Sequence, residues 1–150
     1  MSWAIRLYPT ETGKVKFTAS NEGWTAEAGA TIDSNSTYNE LHLTVSTTVA
    51  GAISPLVTLA GSNTYFRAEL AYKTASQSQT CDISLLDQSN AIIAHSIYPP
   101  SAFGTTFNDY KRAVLEAQTG ATVTGVRVRV NQGGTIGGTI LIDYALLAEN

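Results

Sequence analysis

The stretch TYFRAELAYK, residues 64–73, alternates with a period of two. Phe66, Ala68, Leu70 and Tyr72 fall on one side, and Tyr65, Arg67, Glu69 and Lys73 on the other. Successive side chains of a β-strand point to opposite faces, so the pattern predicts a strand with one face in a core and one turned outward. GVRVRVN, residues 125–131, repeats it with Val126, Val128 and Val130 opposed by Arg127 and Arg129. The last stretch, TILIDYALLAEN (139–150), differs. Ile140, Ile142, Tyr144 and Leu146 would share one face, and Leu141, Asp143, Ala145 and Leu147 the other. Both faces are mostly apolar, which predicts a strand buried on at least one side, with one carboxylate, Asp143, in its middle.

Outward from these three, strand signals recur at Ser2–Leu7, Val15–Thr18, Ala28–Ile32, Glu40–Thr47, Ile53–Leu59, Thr80–Leu86, Ala91–Ile97 and Asp109–Glu116. Turn chemistry separates them: AGSN at 60–63, DQSN at 87–90, YPPS at 98–101, QTG at 118–120 and NQGGTIGG at 131–138. Gly, Pro, Asn and Asp accept the dihedrals that tight turns require. Lys111–Gln118 is short for a helix, and its alternation fits a strand as well. About ten strands without a βαβ rhythm predict an all-β, antiparallel sandwich or barrel, built as one domain over residues 1–150.

Composition narrows the function classes. Charged residues are 14% of the chain, against roughly 25% in an average soluble domain. The formal net charge is -3, which gives no basic face for nucleic acid. No apolar run approaches the roughly 18 residues of a membrane span. The N-terminus, MSWAIRLYPTETG, has no basic start, long apolar stretch and small-residue cleavage site in sequence, so no secretory leader is visible. Cys81 is the single cysteine; it alternates with Ile83 and Leu85 and is expected to be a small buried hydrophobe.

Motifs for catalysis are weak. His42 and His95 are isolated on strands, and neither a Gly-x-Ser-x-Gly elbow nor a His-Glu-x-x-His pair occurs. One cysteine and two scattered histidines make no zinc site. NQGGTIGG contains no Lys and lacks phosphate-loop spacing, so it reads as a hairpin connection. The chain is therefore expected not to be an enzyme. Asn35-Ser36-Thr37 has the pattern of a glycosylation acceptor, which matters only on a glycosylating secretory route.

The order of the short phrases resembles the jelly-roll carbohydrate-binding modules, the galactose-binding-like sandwiches found beside glycosidase domains and in phage and cell-surface proteins. NEGWTAEAGATI (21–32) is similar to an early phrase in which Gly-Trp is followed by Gly-Ala before a strand. ISPLVTLAGSNTYFRAELAYKT (53–74), ISLLDQSNAII (83–93), TFNDYKRAVLEAQTGATVTGVRVRV (106–130) and ILIDYALL (140–147) resemble later phrases in the same order. Together they span roughly residues 15–148. The resemblance implies a jelly-roll sandwich that binds glycan. It also implies a structural calcium held by Asp143 with a carboxylate early in the domain, here Glu22. Calcium takes about six to eight oxygens, so backbone carbonyls and waters would complete the set.

Sugar recognition needs aromatic faces for C–H stacking and planar polar groups for hydroxyls. The outward strand faces offer Tyr65, Arg67, Glu69, Arg127 and Arg129 as one site if their strands lie close. The loops offer Trp3, Tyr8, Trp24, Tyr38, Tyr98 and Phe103. The same charged residues serve equally as cross-strand ion pairs, and Trp24 serves equally as packing.

Two functions follow. One is a non-catalytic, extracellular module that recognises glycan through an exposed sheet face and loops. The other is a structural protein of a virion or surface assembly, such as a capsid decoration, tail component or filament subunit, whose partners are copies of itself or other virion proteins. A weakly charged surface and a start at Met1 without a leader point toward the second; the order of phrases points slightly toward the first.

Overall fold

The computed structural model describes residues 4–8, 15–17, 21–35, 40–46, 50–59, 65–74, 79–100, 110–134 and 139–149, with the side chains of 4–8, 15, 16, 35, 134 and 149 left aside. Among the described residues thirteen strands follow one another: β1 (Ala4–Tyr8), β2 (Val15–Lys16), β3 (Thr25–Ala26), β4 (Ala30–Asn35), β5 (Glu40–Val45), β6 (Gly51–Ile53), β7 (Val57–Thr58), β8 (Tyr65–Thr74), β9 (Gln79–Asp87), β10 (Ile92–Tyr98), β11 (Lys111–Gln118), β12 (Gly125–Gly134) and β13 (Thr139–Glu149). No helix occurs among the described residues, so none is long and apolar enough to cross a membrane. Lys111–Gln118 is a strand, paired residue for residue with β8.

The strands form two antiparallel sheets in a jelly-roll β-sandwich. The seven-stranded sheet runs β11-β8-β13-β5-β4, with β1 and β2 also paired to β13; the six-stranded sheet runs β10-β9-β12-β6-β3, with β7 paired to β12. The count exceeds the eleven candidate strands of the sequence for two local reasons. Thr25–Ala26 forms a short edge strand, and the candidate at Ile53–Leu59 divides into β6 and β7. Pro55 has no N–H to give a ladder. Ser54 compensates, its hydroxyl accepting the Val128 N–H at 2.8 Å and donating to the Pro55 carbonyl at 3.1 Å.

The core lies where the two inner faces meet. Phe66, Leu70 and Tyr72 of β8 face Ile83 and Leu85 of β9 and Val126, Val128 and Val130 of β12, all essentially without solvent contact. The period-two reading of both strands therefore holds. Cys81 is part of this core, and burial pushes its thiol far above the ordinary range, so it is an inert packing residue. Thr74, Gln79 and Gln132 break the apolar rule at inward positions, and neither end of the buried Gln132 amide has a hydrogen-bond partner among the described residues.

Asp143 explains itself through register. The pairing of β13 with β8 shifts between Ile142 and Tyr144, a β-bulge centred on Asp143. Below the bulge Ile140 and Ile142 point inward; above it Ala145 and Leu147 do. Strict alternation over 139–147 is thus wrong, because a bulge adds one residue and reverses the sides beyond it. Tyr144 and Leu146, expected on the face of Ile140, emerge on the opposite surface and pack there with Ala71 and Ala148 in a second buried cluster. The strand is buried on both faces. At the same point its neighbour changes from β5, paired to 139–142, to β2, paired to 144–145.

Candidate functional site

The expected single site does not form. Tyr65, Arg67 and Glu69 project from the outer face of the seven-stranded sheet, and Arg127 and Arg129 from the outer face of the six-stranded sheet. The core lies between the two groups, because each strand turns its apolar side inward. Trp24 is not a platform. It is 3% exposed and meets the Phe17 ring edge-on at 6.0 Å, so its large apolar surface belongs to packing.

The outer face of the seven-stranded sheet carries a network of ion pairs and hydrogen bonds among its own side chains. Glu69 is buried and accepts from Arg112 Nη2 at 2.6 Å and from the Tyr144 hydroxyl at 3.3 Å, with Arg67 at 3.7 Å. Arg67 also pairs with Glu116 at 3.1 Å across the β8–β11 ladder. The Tyr110 hydroxyl donates to Glu40, and Lys73 lies 4.2 Å from the centre of the Tyr110 ring. His42 sits between Asp33 and Glu40, 3.5 and 3.4 Å away. A ligand hydroxyl binding here would have to displace ion pairs that are partly shielded from water.

The six-stranded sheet presents a different surface. His95, Ser84, Arg129, Ile53 and Thr25 are direct register partners across β10, β9, β12, β6 and β3, and form one row from edge to edge. Ile97, Asp82, Asn131 and Gly51 form the next row. Gly51 is required, because a Cβ there would run into the Val130 carbonyl. Ile92 and Ile97 are each 60% exposed. Arg129 Nε reaches Glu27 at 2.6 Å, and Thr80 donates to Asp82 at 2.9 Å. Where β12 begins, a cleft of about 330 Å³ opens between Gly23, Pro55 and Leu56 on one side and Asn90 on the other, with Arg127 and Ile53 lining it.

Sequence reading missed Asn90, which it treated as turn punctuation, and the register that sets Ile53 and His95 in one row with Arg129. The signal for Asn90 was DQSN itself: its φ of 65° suits Asn in a tight turn. Of the loop aromatics, Tyr98 is committed elsewhere, its hydroxyl engaging both the N–H and the carbonyl of Val114 on β11. The side chains of Trp3, Tyr8, Tyr38 and Phe103, the Asn35-Ser36-Thr37 side chains and positions 135–138 of NQGGTIGG lie outside the described residues.

Glu22 lies in an exposed turn with φ of 51° before Gly23, and Asp143 is half-buried at the bulge of β13. Among the described residues no group of three or more His, Cys, Asp or Glu is placed to hold a metal ion. A cation on Asp143 and Glu22 would therefore draw most of its oxygens from backbone and water.

A scan against protein-family models and a search of curated proteins find no match to this chain. Solved structures do match it. The CBM22-1 xylan-binding domain from Paenibacillus barcinonensis Xyn10C superposes with a TM-score of 0.62 at 12% identity, over 91% of this chain and 92% of that one. The C-terminal family 22 carbohydrate-binding module of Clostridium thermocellum Xyn10B gives 0.60 at 18% identity, over 97% and 95%. The enzymatically active domain of bacteriophage CBA120 tailspike protein 4 gives 0.59 at 21% identity; the match covers 90% of this chain and 20% of the tailspike chain. At these identities the likeness shows the fold: the chain is a β-sandwich of the carbohydrate-binding-module type.

Proposed function

We propose that the chain is a non-catalytic carbohydrate-binding domain whose ligand lies across the outer face of the six-stranded sheet. The observation that carries this is the row His95–Ser84–Arg129–Ile53–Thr25, which sets one apolar residue, Ile53, among hydrogen-bonding groups across five strands and runs beside an open cleft. A sugar chain offers the matching surface, hydroxyl edges and C–H faces repeated along its length. The other outer face favours a structural role, since Arg67, Arg112, Glu69 and Glu116 close there into one network, whereas Arg129 pairs with Glu27 and Arg127 meets no carboxylate among the described residues. A domain with the same fold is named xylan-binding, so xylan is the first polymer to test. Wild-type protein is expected to bind it in a titration. Arg129→Ala should weaken binding about tenfold by removing a charged donor, whereas Arg67→Ala on the opposite face should leave it within about twofold. Equal loss in both variants, or binding lost only in Arg67→Ala, would sink the assignment of the face.

A second reading has its own support. Ile92 and Ile97 stand exposed on β10, the edge strand of the six-stranded sheet, and a phage tailspike domain shares the fold. Uncharged edges with exposed isoleucine invite strand-to-strand contact. A virion or surface-assembly subunit would give a stable oligomer in light scattering that Ile97→Lys dissolves, with no glycan bound. The calcium at Glu22 and Asp143 is a separate proposal. If it is present, a chelator lowers the melting temperature of the wild type, calcium restores it, and Asp143→Asn abolishes both effects; an unmoved melting temperature removes the site.

A further inference from the structure

Arg127 is the arginine on the six-stranded sheet that meets no carboxylate among the described residues. Its Nη1 donates to Asn90 Oδ1 at 2.9 Å and to the Gln88 carbonyl at 3.4 Å. By contrast Arg67, Arg112 and Arg129 reach Glu116, Glu69 and Glu27 at 3.1, 2.6 and 2.6 Å. A half-buried guanidinium has lost part of its hydration, and an unpaired one leaves that loss to be recovered by an incoming anion.

The surroundings of Arg127 are built and held. Asp87 Oδ1 accepts the N–H groups of Ser89 and Ala91 at 2.8 and 2.9 Å, which fixes the β9–β10 turn. The Gln88 side chain ties that turn to the Thr122 carbonyl and the Thr124 N–H, at 3.3 and 3.1 Å. Asn90 is thereby positioned, and its amide oxygen, by accepting from Arg127, leaves the amide NH2 as a further donor at the cleft. The opposite wall is equally fixed: Gly23 has φ of +79°, and a Cβ there would lie 2.9 Å from Pro55 Cγ. Leu56, 42% exposed, extends that wall with apolar surface.

We infer that this cleft selects a carboxylate-bearing sugar, a uronic acid residue of the polysaccharide, an inference that rests on the glycan reading of this sheet face. Nε and Nη2 of Arg127 donate to nothing among the described residues. One edge of a guanidinium presents two parallel N–H groups that match the two oxygens of a carboxylate. The Asn90 amide supplies another hydrogen bond, and Pro55 and Leu56 offer a surface for the C–H face of the ring. A single guanidinium balances a single negative charge, which favours a carboxylate over a doubly charged phosphate. The chain as a whole is negative, at -3, so the attraction is local to this cleft.

The test compares glucuronoxylan with the same polymer after its carboxyl groups have been reduced to alcohols. Wild-type protein should bind the carboxylated polymer at least about fivefold more tightly in titration calorimetry, a preference that shrinks as NaCl is raised. Arg127→Gln should abolish the preference, and an unfolding midpoint in denaturant close to that of the wild type reports that the variant is folded. Arg127→Lys, which keeps the charge and loses the fork, should recover only part of the preference. Equal wild-type affinity for the two polymers, or a preference unchanged in Arg127→Gln, overturns the carboxylate inference and leaves the glycan reading standing. Binding to neither polymer overturns both.

Discussion

The two outer faces of this sandwich are built from the same kinds of residue and arrive at opposite ends. Both carry arginines, acids and hydroxyl groups on strands whose other side is core. On the seven-stranded sheet Arg67, Arg112, Glu69, Glu116 and Tyr144 close on one another, and Tyr144 and Leu146 are themselves buried. On the six-stranded sheet Arg129 pairs with Glu27, but Arg127 meets an amide and a carbonyl, and Ile92 and Ile97 stand in solvent on β10. Charge content therefore does not mark a binding face. What marks it is whether the polar groups have found partners within the fold, because only those still facing water can exchange water for a ligand at little cost.

The contrast can be broken by mutation. Its largest expected effect is Tyr144→Ala, which empties a buried aromatic site on the seven-stranded sheet and removes a partner of Glu69; about 3 kcal/mol of stability should be lost in denaturant unfolding, with glycan affinity unchanged. A loss of binding together with normal stability would reverse the roles given to the two faces. Next, Glu69→Gln keeps the shape and removes the charge between Arg112 and Arg67. Because Arg112 is 62% exposed, the ion pair is screened, and the expected cost is about 1 kcal/mol, shrinking as salt is added. An effect that salt does not touch would mean that packing, and not charge, holds this face. The smallest stability effect belongs to Arg127→Gln, under about 0.5 kcal/mol by chemical denaturation, since its consequences fall on the ligand.

Much of the fold was legible in residue order. Alternation in TYFRAELAYK and GVRVRVN assigned inside and outside to Phe66, Leu70, Val126 and Val128, and the core has them so. DQSN marked a real hairpin turn. Failures came where a local rule meets its exception. Alternation was carried past Asp143 through Leu147, misplacing Tyr144 to Leu147, because a bulge leaves no mark in a hydrophobic pattern. Pro55 was read through, although its missing N–H ends β6. Trp24 was left open between ligand contact and packing, and its 3% exposure is a property of what surrounds it.

The candidate site was less legible, for a topological reason. Arg67 and Arg127 look equivalent along the chain, each an outward arginine on an alternating strand. Which sheet each strand joins is settled by pairings between residues far apart in sequence, such as Arg127 with Leu86 and Arg67 with Ala148. The sequence by itself determined that there would be two-faced strands, their turns and a buried Cys81, since these depend on side-chain periodicity and local dihedral preference. Only the tertiary structure decided that Glu69 would be enclosed by arginines and Arg127 left beside an open cleft, because neutralisation and exposure depend on neighbours that the fold brings together from distant segments.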